Sequence, residues 1–168
     1  LELLENSPDV DFCAPFLDSN IRVMGLFGSE PRRVYAISES TTEVVLERLD
    51  LRLTEGRLPR ANTNEIVLHE SIMKARGLAI GDYVGQETDP DDYLWGLFRV
   101  CGTVSGELPI GIASLEFFKT HWIFDLGDDA YAVMLFPSGD IECMNDLIQS
   151  LPAERVSIRS LGSAEKNY

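Results

Sequence analysis

The chain has 168 residues, with 14 Lys+Arg against 28 Asp+Glu and a formal net charge of −14. An apolar fraction of 45% excludes a disordered chain, because that much hydrophobic surface can offset the entropy lost on ordering. A pI near 4.4 argues against a nucleic-acid binder, which needs a basic face to neutralise phosphates. A chain of this length buries about two-thirds of its unfolded surface, enough for a core in one domain or two small subdomains.

No stretch supplies the run of about 20 apolar residues that a spanning helix needs. The best run, Tyr131 to Phe136, is stopped by Pro137 and suits a strand. The chain begins at Leu1 with no signal-peptide pattern, so it reads as processed or as an excised piece of a larger protein. Cys13, Cys101 and Cys143 are odd in number and form no C-x-x-C pair. Three small buried side chains account for them, and a bridged pair cannot be read from their spacing.

In chain order, Leu1 and Leu4 fit the tail of a helix, broken by Asn6-Ser7-Pro8-Asp9. Alternation predicts a strand from Val10 to Ala14 ending at Pro15, and a second over Ile21 to Gly25. Gly28-Ser29-Glu30-Pro31 reads as a turn, and Val34 to Ser38 as a third strand. Thr42 is a candidate N-cap for a short helix burying Val45, Leu46 and Leu49. Leu53 to Pro59 reads as a loop and Glu65 to Leu68 as a strand. Ser71 to Arg76 reads as a helix stopped by Gly77, suited to a left-handed cap.

Gly81-Asp82 turns into a strand over Tyr83 to Glu87, expected to pair with Leu94 to Ser105 around Asp89-Pro90-Asp91-Asp92. Gly106 to Gly111 is a loop, and Ser114 caps a helix through Thr120. Ala130 to Phe136 is an apolar strand. Asp140 caps a helix with Ile141, Met144, Leu147, Ile148 and Leu151 on one face, and Val156 and Ile158 open a last strand. Strands first, then a mixed middle, then strand–helix–strand predict an α+β fold.

Chemical motifs are weak. Ser71-Ile72-Met73-Lys74 matches the S-x-x-K nucleophile pattern, but Lys119-Thr120-His121 places His where a small Gly is needed and no Ser-Asp-Asn follows. His69-Glu70 begins like a zinc-protease helix, yet Met73 stands where the second His should fall. Glu87, Asp89, Asp91 and Asp92 could collect Ca²⁺, but lack EF-hand spacing, and a solvated acidic hairpin tip explains them better. With only His69 and His121, acid–base work would fall to carboxylates or Lys, and no tuned pair stands out. No catalytic, cofactor or metal residues are assigned, and a binding, coupling or structural role is expected.

The middle segment is informative as a whole. Leu53-Thr54-Glu55-Gly56-Arg57-Leu58-Pro59 leads to Asn64-Glu65-Ile66-Val67-Leu68. Then come Ala75-Arg76-Gly77-Leu78-Ala79-Ile80-Gly81-Asp82-Tyr83-Val84 and Phe98-Arg99-Val100-Cys101-Gly102-Thr103-Val104. This order resembles the extracytoplasmic core domain of MacB-type ABC transporter permeases, a group that includes FtsX-like and LolC-like proteins. The resemblance spans roughly Val10 to Leu161. Its parts also have plain physical readings: Gly56 and Gly81 suit turns, Arg57 suits a carboxylate partner, and Leu78 and Ile80 suit a core.

The resemblance implies two lobes: a porter-like βαβ lobe from residues 1–50 and 128–168, and an inserted β-rich, sabre-like lobe from residues 51–127. It implies an extracytoplasmic domain between the first two membrane helices of a dimeric permease, served by a cognate ABC ATPase on the inner face. The role would be mechanical transmission toward export or toward an extracytoplasmic partner protein, without cofactor or nucleic acid. No segment matches the LolC-type hook. Leu108, Pro109, Ile110 and Ile112 are candidate partner contacts, since exposed apolar loops mark interfaces; packing within the domain is the competing reading. The −14 charge then describes a surface held above an anionic bilayer, with Leu1 to Asn6 as the tip of a stalk. A stand-alone α+β binding module is the alternative, and a small hydrolase using carboxylates or the Ser71/Lys74 pair a lesser one.

Overall fold

A computed structural model describes residues 4, 6–121, 132–139 and 147. The fold is α+β. Strands β1 (Val10–Gly25), β2 (Gly28–Ile37), β3 (Arg52–Gly56), β4 (Glu65–His69), β5 (Tyr83–Val84), β6 (Phe98–Ser105), β7 (Gly111–Ser114) and β8 (Ala132–Pro137) form one mixed sheet. Its order is β3-β6-β4-β7-β2-β1-β8, with β5 beside β6. The helices among the described residues are α1 (Glu39–Arg48), α2 (Glu70–Arg76) and α3 (Leu115–His121).

The chain divides into two compact units, Ala14–Met134 and Leu1–Cys13 with Leu135–Tyr168. In the smaller unit, the Phe12 and Phe136 rings lie 5.9 Å apart, and Ser138 N donates to Asp9 O at 3.0 Å. The expected helix from Asp140 and strand from Val156 fall outside the described residues, Leu147 apart, as does Cys143.

In the larger unit, β4 is buried along its whole length, between β6 (parallel) and β7 (antiparallel). Val34, Ala36, Ile66, Leu68, Val100 and Ala113 share one core with Ile72 and Met73 of α2 and Leu115 and Phe118 of α3. The alternate residues Tyr35, Ile37, Val67 and Ile112 are buried too. Successive side chains on a strand point to opposite faces, so these central strands are covered on both sides.

Several expectations hold. Gly77 caps α2 in the left-handed region at φ 64. The Ser114 hydroxyl accepts from Phe117 N at the start of α3. Others are corrected. Pro15 does not end a strand: β1 runs 16 residues, and its pairing with β2 starts at Phe16, one residue beyond. Pro31 lies inside β2 opposite Arg22, whose N–H turns away to Asp92, so Pro31 costs no bond to β1 there. The turn is therefore Leu26–Phe27. The cap of α1 is Ser38; Thr42 is interior, donating its hydroxyl to Ser38 O at 2.8 Å. Arg52–Gly56 is an exposed edge strand rather than part of a loop. The strand expected over Tyr83 to Glu87 shortens to Tyr83–Val84 and does pair antiparallel with β6.

Candidate functional site

The segment from Glu55 to Glu65 forms the first ordered constellation. Arg57 Nη1 donates to Glu65 Oε2 at 2.7 Å, and Nη2 donates to Oε1, a bidentate fork. That guanidinium holds the Glu65 carboxyl well below the usual range, at about 2. Gly56 at φ 76 brings the chain against β6: an added Cβ would stand 2.3 Å from Cys101 O. Burial pushes the Cys101 thiol up to about 11.

His69 ends β4 and caps α2. Its Nδ1 accepts from Ser71 N at 3.1 Å, so the hydrogen-bond network assigns the proton to Nε2, which donates to Gly106 O at 3.0 Å. His69 N also donates to Ile110 O at 3.0 Å. One histidine thus pins both ends of the loop from Gly106 to Ile110. The loop's apolar residues divide: Ile110 is 3% exposed and Ile112, in β7, is 0% exposed, while Leu108 and Pro109 are half-buried. The Ser71 hydroxyl lies 2.8 Å from His69 Nδ1; Lys74 is exposed on α2, with no hydrogen bond to Ser71 among the described residues.

The acidic segment is not a solvated tip. The Asp92 side chain is fully buried and takes Arg76 Nη1 at 2.5 Å, Arg22 N at 3.0 Å and Leu94 N at 3.2 Å. Asp89 Oδ2 accepts from Arg22 Nη2 at 2.6 Å, which holds the Asp89 carboxyl below its ordinary value. Arg22 and Arg76 thus pair with Asp89 and Asp92, and no metal-binding group of three His, Cys, Asp or Glu occurs among the described residues.

Two features escape sequence reasoning. Leu26 is 96% and Phe27 100% exposed at the tip of the β1–β2 hairpin, flanked by exposed Met24. A cleft of about 560 Å³ opens beside Phe98 and Phe117.

Comparison with solved structures shows what carries these features. The periplasmic region of MacB from Actinobacillus actinomycetemcomitans superposes with a TM-score of 0.55 at 20% identity, covering 89% of this chain and 71% of that one. The chain has the fold of that MacB region. The extracellular domain of the noncanonic ABC-type transporter YknZ from Gram-positive bacteria gives a TM-score of 0.52 at 12% identity, covering 88% of this chain and 73% of that one. No family model and no curated protein matches the sequence. Gly56, the buried strand β4 and the Arg57–Glu65 pair lie within this fold. No helix among the described residues is long and apolar enough to cross a membrane.

Proposed function

We propose that this chain is the extracytoplasmic domain of an ABC-transporter permease. It transmits ATP-driven motion toward export or toward a partner protein outside the membrane. The observation that carries the reading is the likeness to the MacB periplasmic region over 89% of the chain. The Arg57–Glu65 fork and the His69 anchor support it physically: they stiffen segments at both ends of β4, as a part that passes on motion requires.

The partners in this reading are the membrane helices of the same permease, a second permease copy and a cognate ABC ATPase on the inner face. The two-lobe division, residues 1–50 with 128–168 and residues 51–127, belongs to the proposal. Its first cut falls at Asp50, a non-glycine residue at φ 51 just after α1. Partner contact through the Gly106–Ile112 segment belongs to it as well. It rests on half-buried Leu108 and Pro109, since Ile110 and Ile112 are core.

The test is purification of the intact natural protein from detergent-solubilised membranes of its own host. Recovery in the membrane fraction with a P-loop ATPase is expected. Recovery in the soluble fraction, without such a partner, overturns the reading.

A further inference from the structure

The cleft beside α3 has a composition of its own. Its apolar walls are Trp95, Phe98 and Phe117, and His121 stacks on Phe117 with ring centroids 4.1 Å apart. Phe98 is buried and meets Phe117 edge-on at 5.6 Å, so that wall is anchored in the core. Trp95 remains 43% exposed and lines the same cleft. The volume, about 560 Å³, lies in the range of small-molecule sites.

The polar groups sort themselves. Asn64 Nδ2 donates to Leu97 O at 3.1 Å, and Gln86 Nε2 donates to Asp92 O at 3.0 Å, so both amides in the wall serve the backbone. Glu87 also lines the cleft, is exposed, and makes no ion pair among the described residues. By contrast Asp89 and Asp92, a few residues on, are both matched by arginines. Neither Lys nor Arg lines the cleft. One carboxylate without an ion pair among the described residues thus shares the cleft lining with the exposed Trp95, on a chain of net charge −14.

We propose that this cleft binds bulky apolar monocations, with the apolar body against Trp95 and Phe117 and the charge toward Glu87. Aromatic faces attract cations through their quadrupole, and a carboxylate at the rim adds Coulomb attraction that an anion of equal shape would forfeit. The site stands on the cleft itself and does not depend on the permease reading.

The test uses two nearly isosteric ions of opposite charge, tetraphenylphosphonium and tetraphenylborate, titrated calorimetrically into the purified chain. The cation is expected to bind about tenfold or more tightly than the anion. Glu87→Gln changes the net charge by only one unit, so diffuse attraction to an acidic surface survives it. The variant should nevertheless weaken the cation about threefold or more, and Glu87→Lys should abolish the preference. Glu87 lies on an exposed loop, and unchanged circular dichroism identifies variants that keep the fold. Equal affinity for the two ions, no binding of the cation, or an undiminished preference in folded Glu87→Gln overturns the proposal.

Discussion

Arg76 Nη1 donates to the Asp92 carboxylate at 2.5 Å, and that carboxylate is wholly buried. Arg76 itself is only 14% exposed at its side chain and takes Asp92 Oδ2, while Arg22 N and Leu94 N both donate to Oδ1 of the same carboxylate. Breaking a buried pair from one side leaves an uncompensated charge. Asp92→Ala should therefore cost about 3 kcal/mol in urea unfolding. The double variant Asp92→Ala with Arg76→Met should fall short of additivity by about 1 kcal/mol or more. Strict additivity would show that the pair is not coupled.

The Glu65 carboxyl titrates at about 2 in the folded chain, against an ordinary 4.5. A depressed folded value means stability that is present above pH 4.5 and lost as pH falls toward 2. With Arg57 partly exposed, the loss is on the order of 2 kcal/mol. Arg57→Met should be less stable at pH 7 and lose this part of the acid dependence. Parallel acid-unfolding profiles for the two proteins would refute the assignment.

Much of this framework was legible in the sequence, and the reasons are local. Ile66-Val67-Leu68 is an apolar run with two β-branched residues, Gly77 follows a helical face, and Ser114 precedes one. Each signal lies within a few residues of its consequence. What escaped depends on distant partners. Pro15 looked like a strand end because pairing register is not written locally. Arg52–Gly56 is exposed along its length, so no apolar alternation marked it as a strand. The acidic segment looked solvated because Arg22 lies 67 positions from Asp89. The cleft unites Trp95 with Phe117, which chain position alone does not bring together.

Gly56 tests the close approach of β3 to β6. Its φ of 76 and the 2.3 Å separation of an added Cβ from Cys101 O leave no room for a side chain. Gly56→Ala should destabilise by about 2 kcal/mol or more, read as a lowered thermal midpoint. Gly77 has the same sign of φ but open space around it, so Gly77→Ala should cost less, about 1 kcal/mol. A larger effect at Gly77 than at Gly56 would contradict the packing described.

The exposed hairpin tip carries no core packing. Replacing Leu26 and Phe27 together by Ser should leave stability within about 0.5 kcal/mol and raise solubility, because the tip contributes exposed apolar surface only. Loss of fold in this variant, seen by circular dichroism, would mean that the tip is buried in the native protein.

Thiol labelling reads directly the side of the membrane on which the domain works. Glu107 is exposed in the loop held by His69, so Glu107→Cys presents a reactive site in the intact natural protein. Cys13 and Cys143 are first replaced by Ser; buried Cys101, its thiol pushed up to about 11, stays unreactive. A membrane-impermeant maleimide added to intact cells should label Cys at position 107 as fully as it does after lysis. Labelling only after lysis would place the domain in the cytoplasm and contradict the account.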